Sequence, residues 1–590
     1  MKDEKMPGVF SVFAHTDAHR PVYGGGTAIG ENEVRAALAV LEKYRAAKSN
    51  LEKRIRDNEQ WYRMRHWEQI CPPEQRERKQ SAWLFNSLLN KHADFMDAIP
   101  ECTVLPRESS DASAAEKLTS VLPVIFERNG WESVYSDAVF NKLKTGTAVY
   151  SVLWDPGAAG GIGDIDIKQT DILNLFWEPG IRDIQKSRNI FCTELWDNDL
   201  LTEKYPFLEG KLGNTAADTA GYVYDSSVDT SGKSTVVDWY YKKTVNGKKV
   251  LHYCKFTGAN VLYASENDPD LRERGWYDHT LYPFVFDPLF REEGTPVGFG
   301  YIDIMKGAQE EIDVLGAEIM RNARLSARRR YFTRAEGSVN EEEFADMTKD
   351  FVHVSGSSLG EDSIREISEK PLSSIYVTIL NNKIQELKET TGTRDFVTGS
   401  TTGGVTSGVA ITALQEAGNK LSRDMIAATY RAFSRICELS IELIRQFYNV
   451  PRSVRILGAG GEWSFCSYDN SELVPTMPEL SFGVDLGSRS PVFDVSVKAH
   501  KQNAFSRSAQ NTDALNFYKL GFFDPARSTE SLACLQLLDI DNKEKLMHII
   551  EENGRKAAAP AAAGGELVSS PVRANTELLR RAAKRGDASP

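Results

Sequence analysis

A short run at 230–235 (TSGKST) has the residue types that bind phosphate and resembles the end of a phosphate-binding loop. Such a loop needs an earlier glycine at a fixed spacing and a helix directly after it, because the helix N-terminus stabilises the phosphate. The leading position is Ser227, and the residues after Thr235 alternate like a strand. We therefore predict a hairpin turn here and not a nucleotide site.

A second motif places Ser358 between Gly356 and Gly360, the spacing of a nucleophile elbow. The residues that follow do not predict a helix, the β/α repeat of a hydrolase is missing, and the possible bases His500 and His548 fall in unrelated segments. The nine histidines are dispersed, so no set of metal ligands can be assembled. We predict no catalytic residues, no metal site and no other cofactor.

A third segment has the composition of a contact loop. Residues 396–408 (FVTGSTTGGVTSG) are rich in glycine and hydroxyl groups, and no charge occurs between Asp395 and Glu416. Glycine gives the backbone conformational freedom, and uncharged hydroxyls can make weak contacts that do not depend on sequence. We expect this segment to contact a partner molecule and not to catalyse a reaction.

Composition indicates a large protein with ordinary globular character. The chain has 590 residues, which is enough for several domains, and no apolar run is long enough to span a bilayer, so we predict no membrane association. Its net charge of −12 argues against a surface that grips nucleic acid throughout. The N-terminus lacks a secretory signal, and seven dispersed cysteines favour reduced thiols, so we expect assembly inside a cell.

Hydrophobic periodicity predicts an α+β chain. Residues 1–30 form a glycine- and proline-punctuated, flexible arm, and helices are predicted within 31–69 and at 81–98, 112–129 and 131–149. Strands are predicted at 148–154, 164–168, 190–195, 235–244, 249–256 and 283–290, with a helical insert at 197–205. Further strands fall within 453–465 and 491–499, and helices at 504–520, 528–537 and 543–553.

The period changes near residue 301 to that of a long helix. Its apolar stripe comprises Ile304, Ala308, Ile312, Leu315, Ile319 and Ala323, and such a narrow stripe packs helix on helix. A small α/β insert follows, with strands at 330–333, 351–355 and 364–369 around a helix at 340–349. Pro371 then opens another helix, which runs to about Asp395, and a helix bent near Gly418 follows the glycine-rich segment.

This order resembles the portal (head-to-tail connector) family of tailed bacteriophages. The residues that carry the resemblance are 298–313 (GFGYIDIMKGAQEEID), 321–326 (RNARLS) and 406–415 (TSGVAITALQ). The resemblance implies an elongated multi-domain subunit with long stem helices, a small α/β clip, a mixed α/β wing and a helical C-terminal crown. It assigns 1–30 to the arm, 31–300 and 449–500 to the wing, 301–330 to the first stem helix, 331–370 to the clip, 371–395 to the second stem helix, 396–408 to the tunnel loop, 409–448 to the kinked wing helix, 501–553 to the crown and 554–590 to a basic, low-complexity tail.

The resemblance also implies function. About twelve identical copies would form a ring at one capsid vertex of the virion, assembled in the host cytoplasm, as a channel for genome packaging and ejection. The implied partners are double-stranded DNA bound without sequence preference, terminase, capsid and scaffolding proteins, and tail or adaptor proteins. The alternative is a helical ring or scaffold without a DNA channel.

Two groups of site residues follow from this assignment. The DNA-facing tunnel loop would present Thr398, Ser400, Thr401, Thr402, Gly403, Gly404 and Thr406. A basic cluster at the junction of stem and clip comprises Arg324, Arg328, Arg329 and Arg330. These arginines would grip phosphate, brace a neighbouring subunit or simply compensate the dipole at the helix C-terminus, and the sequence leaves these roles open.

Overall fold

The computed structural model describes residues 28–70, 80–212, 232–327, 330–333, 342–343, 364–367, 373–392, 420–457, 463–475, 490–500, 515–537 and 543–558. The chain divides into two compact units, of which the first contains 1–457 and 463–501 and the second contains 458–462 and 502–590. Helices and strands both contribute extensively to the first unit, so the predicted α+β class is confirmed. None of the helices in the described ranges is both long enough and apolar enough to cross a membrane.

The helices of the described residues are named in chain order. They are α1 (Glu31–Tyr62), α2 (His66–Ile70), α3 (Trp83–Met96), α4 (Ala112–Arg128), α5 (Trp131–Thr145), α6 (Ala158–Gly161), α7 (Asn198–Lys204), α8 (Tyr301–Ala327), α9 (Ile375–Thr391), α10 (Lys420–Phe447), α11 (Ser528–Leu537) and α12 (Lys543–Ala558).

The strands are β1 (Ile99–Pro106), β2 (Thr147–Asp155), β3 (Asp164–Gln169), β4 (Leu175–Trp177), β5 (Asn189–Asp197), β6 (Lys233–Val245), β7 (Lys248–Thr257), β8 (Asn260–Ala264), β9 (Phe284–Pro288), β10 (Phe290–Arg291), β11 (Gly298–Phe299), β12 (Arg330–Thr333), β13 (Ile364–Ile367), β14 (Arg452–Leu457), β15 (Trp463–Tyr468) and β16 (Phe493–His500). A five-stranded antiparallel sheet has the order β4-β5-β6-β7-β8, and a three-stranded sheet has the order β3-β2-β9. The pairs β1-β16, β10-β11, β12-β13 and β14-β15 form antiparallel ribbons.

Helix α1 begins where Gly30 donates its backbone N–H to the Glu33 carboxylate, and its apolar residues recur at helical spacing. Its N-terminal half covers the five-stranded sheet, because Val34 and Leu41 pack with Phe191 and Phe256 in one apolar cluster. The predicted arm boundary at residue 30 is corrected here. Ile29 is buried, and its backbone is held by both side-chain groups of Asn267.

The main core lies where α3, α4, α5 and α10 meet the three-stranded sheet. The indole ring of Trp131 lies at its centre, with Tyr150 on β2 and Phe433 on α10 at ring-centroid distances of 5.7 and 5.1 Å. Helix α5 ends at Thr145 and is followed by Gly146, whose φ of +89° is unfavourable for other residues. A Cβ atom there would lie 2.4 Å from the Phe299 carbonyl carbon, so Gly146 permits β11 to approach.

Most predicted elements of the first unit occur, but two helices need corrected bounds, and the strands β1, β4 and β8 were not predicted. The helix predicted at 131–149 ends at Thr145, since its last residues begin β2. The helix predicted to open at Pro371 and to run to about Asp395 spans Ile375–Thr391, and Gly392, with a φ of +67°, follows its end. The ribbon of β1 and β16 was not predicted, because β1 was missed and its partner lies almost four hundred residues further along the chain.

Helices α8 and α9 pack as an antiparallel pair. Strand β12, which follows α8, pairs in antiparallel register with β13, which precedes α9, so the chain turns back, and Glu311 on α8 forms an ion pair with Lys383 on α9. The predicted strands at 330–333 and 364–369 are thus confirmed in position, the second ending at Ile367. The predicted strand 351–355, most of the predicted helix 340–349 and the bend near Gly418 lie outside the described residues.

The second unit is helical where it is described. A short helix at 515–519 precedes α11 and α12, whose buried residues include Leu535 and Ile550. Helix α12 continues to Ala558, five residues beyond the predicted end of the last helix, so the start predicted for the tail at residue 554 is wrong. Ala557 and Ala558 were assigned to a low-complexity tail, but alanine has a high helix propensity and these two residues extend the last turn of α12.

Candidate functional site

Most of the predicted contact residues fall outside the described part of the chain. This holds for Thr398, Ser400, Thr401, Thr402, Gly403, Gly404, Thr406, Arg328 and Arg329. Of the basic cluster, Arg324 lies on α8 and is exposed, and Arg330 is the first residue of β12, paired in register with Ile367. The possible nucleophile Ser358 also lies outside the described residues. Lys233 of the phosphate-loop-like run begins β6, so the strand predicted from residue 235 starts two residues earlier, within the run that was predicted to be a turn. The candidate site is therefore built from the elements that carry these segments.

The predicted apolar stripe of α8 is only partly correct. Ile312 is buried and Ala308 packs against the core, whereas Ile304 is 41% exposed and Ala323 is exposed. The face that is buried in the subunit comprises Tyr301, Ile302, Met305, Gln309, Ile312 and Asp313. After Asp313 no described residue of α8 is buried, so the helix is anchored by its first half alone.

Two polar residues anchor that first half. Gln309 and Asp313 are one helical turn apart, and each is at most 2% exposed. The Gln309 side chain accepts a hydrogen bond from the Leu84 backbone N–H at 2.9 Å, and it donates to the backbone oxygen of Ser81. Gln309 thus caps the first turn of α3, where free backbone N–H groups need acceptors.

The Asp313 carboxylate collects the other donors of this region. Its Oδ1 accepts from the Ser81 backbone N–H and hydroxyl at 2.9 and 2.7 Å, and its Oδ2 lies 3.2 Å from His66 Nε2 and 3.3 Å from Trp67 Nε1. Burial, the largest influence, raises the pKa of Asp313, but the hydrogen bonds from His66, Ser81 and Trp67 together hold that pKa below its ordinary value. The sequence pattern missed this cluster, because Gln309 and Asp313 look like solvent-facing residues beside the apolar stripe.

A second polar cluster fixes the start of α10. Lys91 Nζ lies 2.9 Å from Asp94 Oδ2 and 2.9 Å from the Ser422 hydroxyl, which itself donates to Asp94 at 2.8 Å. Ser422 is in the first turn of α10, and Tyr301 on α8 donates a hydrogen bond to the sulfur of Met425 one turn later. The first turns of α10 are therefore held against α3 and α8.

The end of α9 is held by the same helix α3. Lys388 lies over the Trp83 ring at 5.5 Å, and Leu387 is buried in the main core. Residues 393–419, which contain the predicted tunnel loop, therefore leave and re-enter the described structure at two points attached to α3. A rigid base of this kind positions a loop for contact.

A third cluster joins α10 to the sheet beneath it. The buried Lys142 ammonium on α5 lies 2.7 Å from Asp287 Oδ1 and 2.7 Å from the Thr429 hydroxyl, and that hydroxyl donates to Asp287 at 3.0 Å. Burial lowers the pKa of Lys142, while Asp287 raises it. All three groups have partners, so the cluster stabilises the packing of α5, β9 and α10. Among the described residues no group of His, Cys, Asp or Glu side chains is placed to hold a metal ion.

The far end of the helical pair is apolar and open. The first turns of α9 expose Ile375 by 56%, Tyr376 by 41%, Val377 by 49% and Ile379 by 38%. Successive helical residues point about 100° apart, so these side chains surround the helix and no single neighbouring element could cover them. Exposed apolar side chains of this kind are typical of a surface that contacts another molecule.

The sequence matches the family model of phage P22-like portal proteins over residues 40–566. The chain therefore belongs to the P22-like portal protein family, and it is a phage portal protein. No curated protein matches the sequence. The resemblance inferred from residues 298–313 and the order of elements is confirmed at the level of the family.

Proposed function

We propose that about twelve identical copies of this chain form a closed ring at one capsid vertex, through which double-stranded DNA enters during packaging and leaves during ejection. Terminase would dock on the ring during packaging, and tail or adaptor proteins afterwards. Family membership supports the virion role. The observation that carries the ring itself is the apolar start of α9, which the rest of its own described chain leaves exposed.

The assignment of elements supports a channel. Helices α8 and α9 would be the stem, the ribbon of β12 and β13 would belong to the clip, and the wing would comprise the sheets with α1 to α7. The tunnel loop would follow the duplex with uncharged contacts, because its glycine and hydroxyl composition disfavours strong phosphate binding. The helices on either side of residues 393–419 are held on α3, which would position the loop. Arg324 and its neighbours in the basic cluster would contact phosphate or a neighbouring stem.

Electron microscopy of the purified protein tests the ring and its contact surface. Wild-type protein should give closed rings with a central hole. Ile375→Asp places a charge in the apolar contact and should raise the protein concentration needed for rings at least tenfold, because burying an unpaired carboxylate costs more than about 2 kcal/mol. Ile162→Asp is the control, since Ile162 is 52% exposed and lies in the wing between β2 and β3. Equal loss of rings in both variants would mean that the apolar start of α9 is not a specific contact between subunits.

Deletion of residues 398–404 tests the channel. Rings should still form, because the deletion lies between the anchored helix ends, and the yield of packaged DNA should fall. Normal packaging by rings of the deletion variant would favour the alternative, a structural ring or scaffold whose helices need no DNA-contacting loop.

A further inference from the structure

The five-stranded sheet has one strongly basic end, which the proposed function does not use. Residues 178–188 lead into β5, and residues 242–249 form the hairpin between β6 and β7. Together these two segments hold seven basic and two acidic residues, whereas the whole chain has 71 basic and 83 acidic residues. The charge of this end is therefore opposite in sign to that of the protein.

A tight turn fixes the tip of the hairpin. Asn246 and Gly247 have φ values of +49° and +81°, the left-handed conformations that a two-residue turn between twisted strands requires. Val245 is paired directly with Lys248, and the residue before Val245 is paired with Lys249. Both lysines are exposed, so the turn presents them at a defined place on the sheet.

The segment that precedes β5 is attached to the same end of the sheet. Lys242 donates its backbone N–H to the Arg188 carbonyl at 3.2 Å, and its ammonium donates to the Gln185 carbonyl at 2.6 Å. Lys186 lies between these two residues in the chain. Adjacent strands are about 4.8 Å apart, so only β6 separates this segment from the hairpin lysines on β7.

Three of the lysines have no anionic partner in the part of the chain that the structure describes. The Lys243 ammonium lies 2.8 Å from the Glu266 carboxylate, which neutralises that charge. Lys186, Lys248 and Lys249 are exposed and form no ion pair with any described residue. Their charges are therefore free to act on a ligand.

The charges at this end also act on one another. Burial lowers the pKa of Lys242 to about 8, Asp183 raises that pKa, and the nearby charge of Lys249 lowers it. A surface with one predominant sign of charge raises the local concentration of ligands with the opposite sign. The sheet end is thus suited to an anionic partner.

A uniform polyanion fits this end better than an acidic protein segment does. Neither of the two segments, which the structure describes completely, contains a large apolar side chain that is exposed. The surface therefore lacks the apolar anchors that dominate protein interfaces. Lysine is a point charge on a flexible stem, and contacts of this kind bind phosphates without reading sequence. The choice of DNA among polyanions rests on the proposed function.

We propose that the basic end of the sheet, comprising Lys186, Arg188, Lys248 and Lys249, binds the phosphate backbone of double-stranded DNA without sequence preference. The wing thereby contacts DNA through residues other than those of the tunnel loop.

Salt-dependent binding of a short labelled duplex to the full-length protein tests the proposal. Lys248→Gln combined with Lys249→Gln should reduce the slope of log affinity against log salt concentration by about 2, because each phosphate contact contributes about 0.9. Binding at low salt should weaken roughly tenfold or more, equally for duplexes of different sequence. Wild-type protein that does not bind the duplex would overturn the proposal, as would an unchanged slope and affinity in this double variant.

Lys204→Gln combined with Lys211→Gln is the matched control. Both lysines are exposed and follow the opposite end of β5, since α7 begins directly after Asp197. The change in net charge is the same, but the slope and the affinity should remain those of the wild type. Equal weakening in both double variants would mean that binding depends on net charge alone, which overturns the assigned site.

Competition identifies the class of polyanion. Poly-glutamate should displace the duplex only at a clear excess of charge, and displacement at equal charge would assign the surface to an acidic protein segment and overturn the choice of DNA. Electron microscopy of the same samples separates this proposal from the ring, because the Lys248→Gln and Lys249→Gln variant should assemble as the wild type does. Absence of rings in the wild type would contradict the proposed function and leave the duplex measurement unaffected.

Discussion

Asp313 is a carboxylate whose two oxygens both accept hydrogen bonds, and it is buried where α2, Ser81 and α8 meet. Its donors come from His66, Trp67, Ser81 and Gln309, so one side chain connects elements that are more than two hundred residues apart in the chain. A buried carboxylate stabilises a fold only when such donors replace its hydration. The same hydrogen bonds hold the pKa of Asp313 below its ordinary value, although burial raises it.

Asp313→Asn should lower the free energy of unfolding by about 3 kcal/mol. The NH2 group of the new amide would face N–H and O–H donors, and the hydrogen bonds that these donors make to a charged carboxylate would be lost. Thermal unfolding measures the change. The folded-state pKa of Asp313 lies below its ordinary value of 3.8, so its contribution is complete above that pH and is lost as the pH falls through the lowered pKa. The difference in the free energy of unfolding between wild type and variant should therefore stay constant near neutral pH and become smaller only below about pH 4.

Glu311→Gln is the matched control for this change. Glu311 is two residues from Asp313 on α8, but it is exposed and its ion pair with Lys383 is at the surface. Its loss should cost less than about 1 kcal/mol. A similar loss of stability in both variants would show that the buried cluster contributes nothing beyond an ordinary surface charge.

The residues of this cluster mark a limit of inference from sequence. Periodicity finds the apolar members of a helix, and Ile312 was found in this way. It assigns Gln309 and Asp313 to solvent, because only their distant partners make burial favourable. In the same way, the sequence places Arg324 near the end of α8, but the pattern alone does not show which group its side chain contacts.

At the scale of elements, helices were predictable from the sequence, whereas the pairing of strands far apart in the chain was not. Local patterns gave α3 and α4 to within two residues at each end, since helices depend on nearby residues. Strand β1 pairs with β16, with Ile99 opposite His500. Such long-range pairing leaves no local signal, and the prolines at both ends of β1 obscured the strand further.

The first turn of α10 lies next in the chain to the segment that contains the proposed tunnel loop, so its attachment to α3 would fix one side of that segment. Ser422→Ala removes a hydroxyl that bonds both Lys91 and Asp94, and it should loosen the first turn of the helix by about 1–2 kcal/mol. Hydrogen exchange of residues 420–426 should accelerate roughly tenfold, as 1.4 kcal/mol corresponds to a factor of ten.

Ser440→Ala provides the comparison within the same helix. The Ser440 hydroxyl is buried and donates to the Ile436 carbonyl of its own helix at 2.9 Å, with no further partner among the described residues. Exchange of residues 420–426 should be unchanged in this variant. An unchanged rate in Ser422→Ala as well would mean that apolar packing alone, including Met425, holds the start of α10 in place.

At the scale of the whole molecule, the two units differ in how completely each buries its apolar residues. The first unit has a large continuous core, whereas the described part of the second unit exposes Leu515 by 60%, Tyr518 by 71% and Leu520 by 66%. Small units bury too little surface to be stable alone, so contacts between copies are expected to complete this one.

We therefore predict that the second unit unfolds in a separate, earlier transition whose temperature depends on assembly. In calorimetry of the full-length protein, the first transition should move upward by several degrees as the protein concentration rises into the range where rings form, because association stabilises only the folded unit. A chain that ends at Lys501 should lack this transition and keep the second. Tyr518→Ser should lower the first transition in rings and leave it unchanged in monomers, since the side chain gains its partners only on association. A first transition that is independent of concentration in every variant would show that the exposed apolar residues of this unit take no part in assembly.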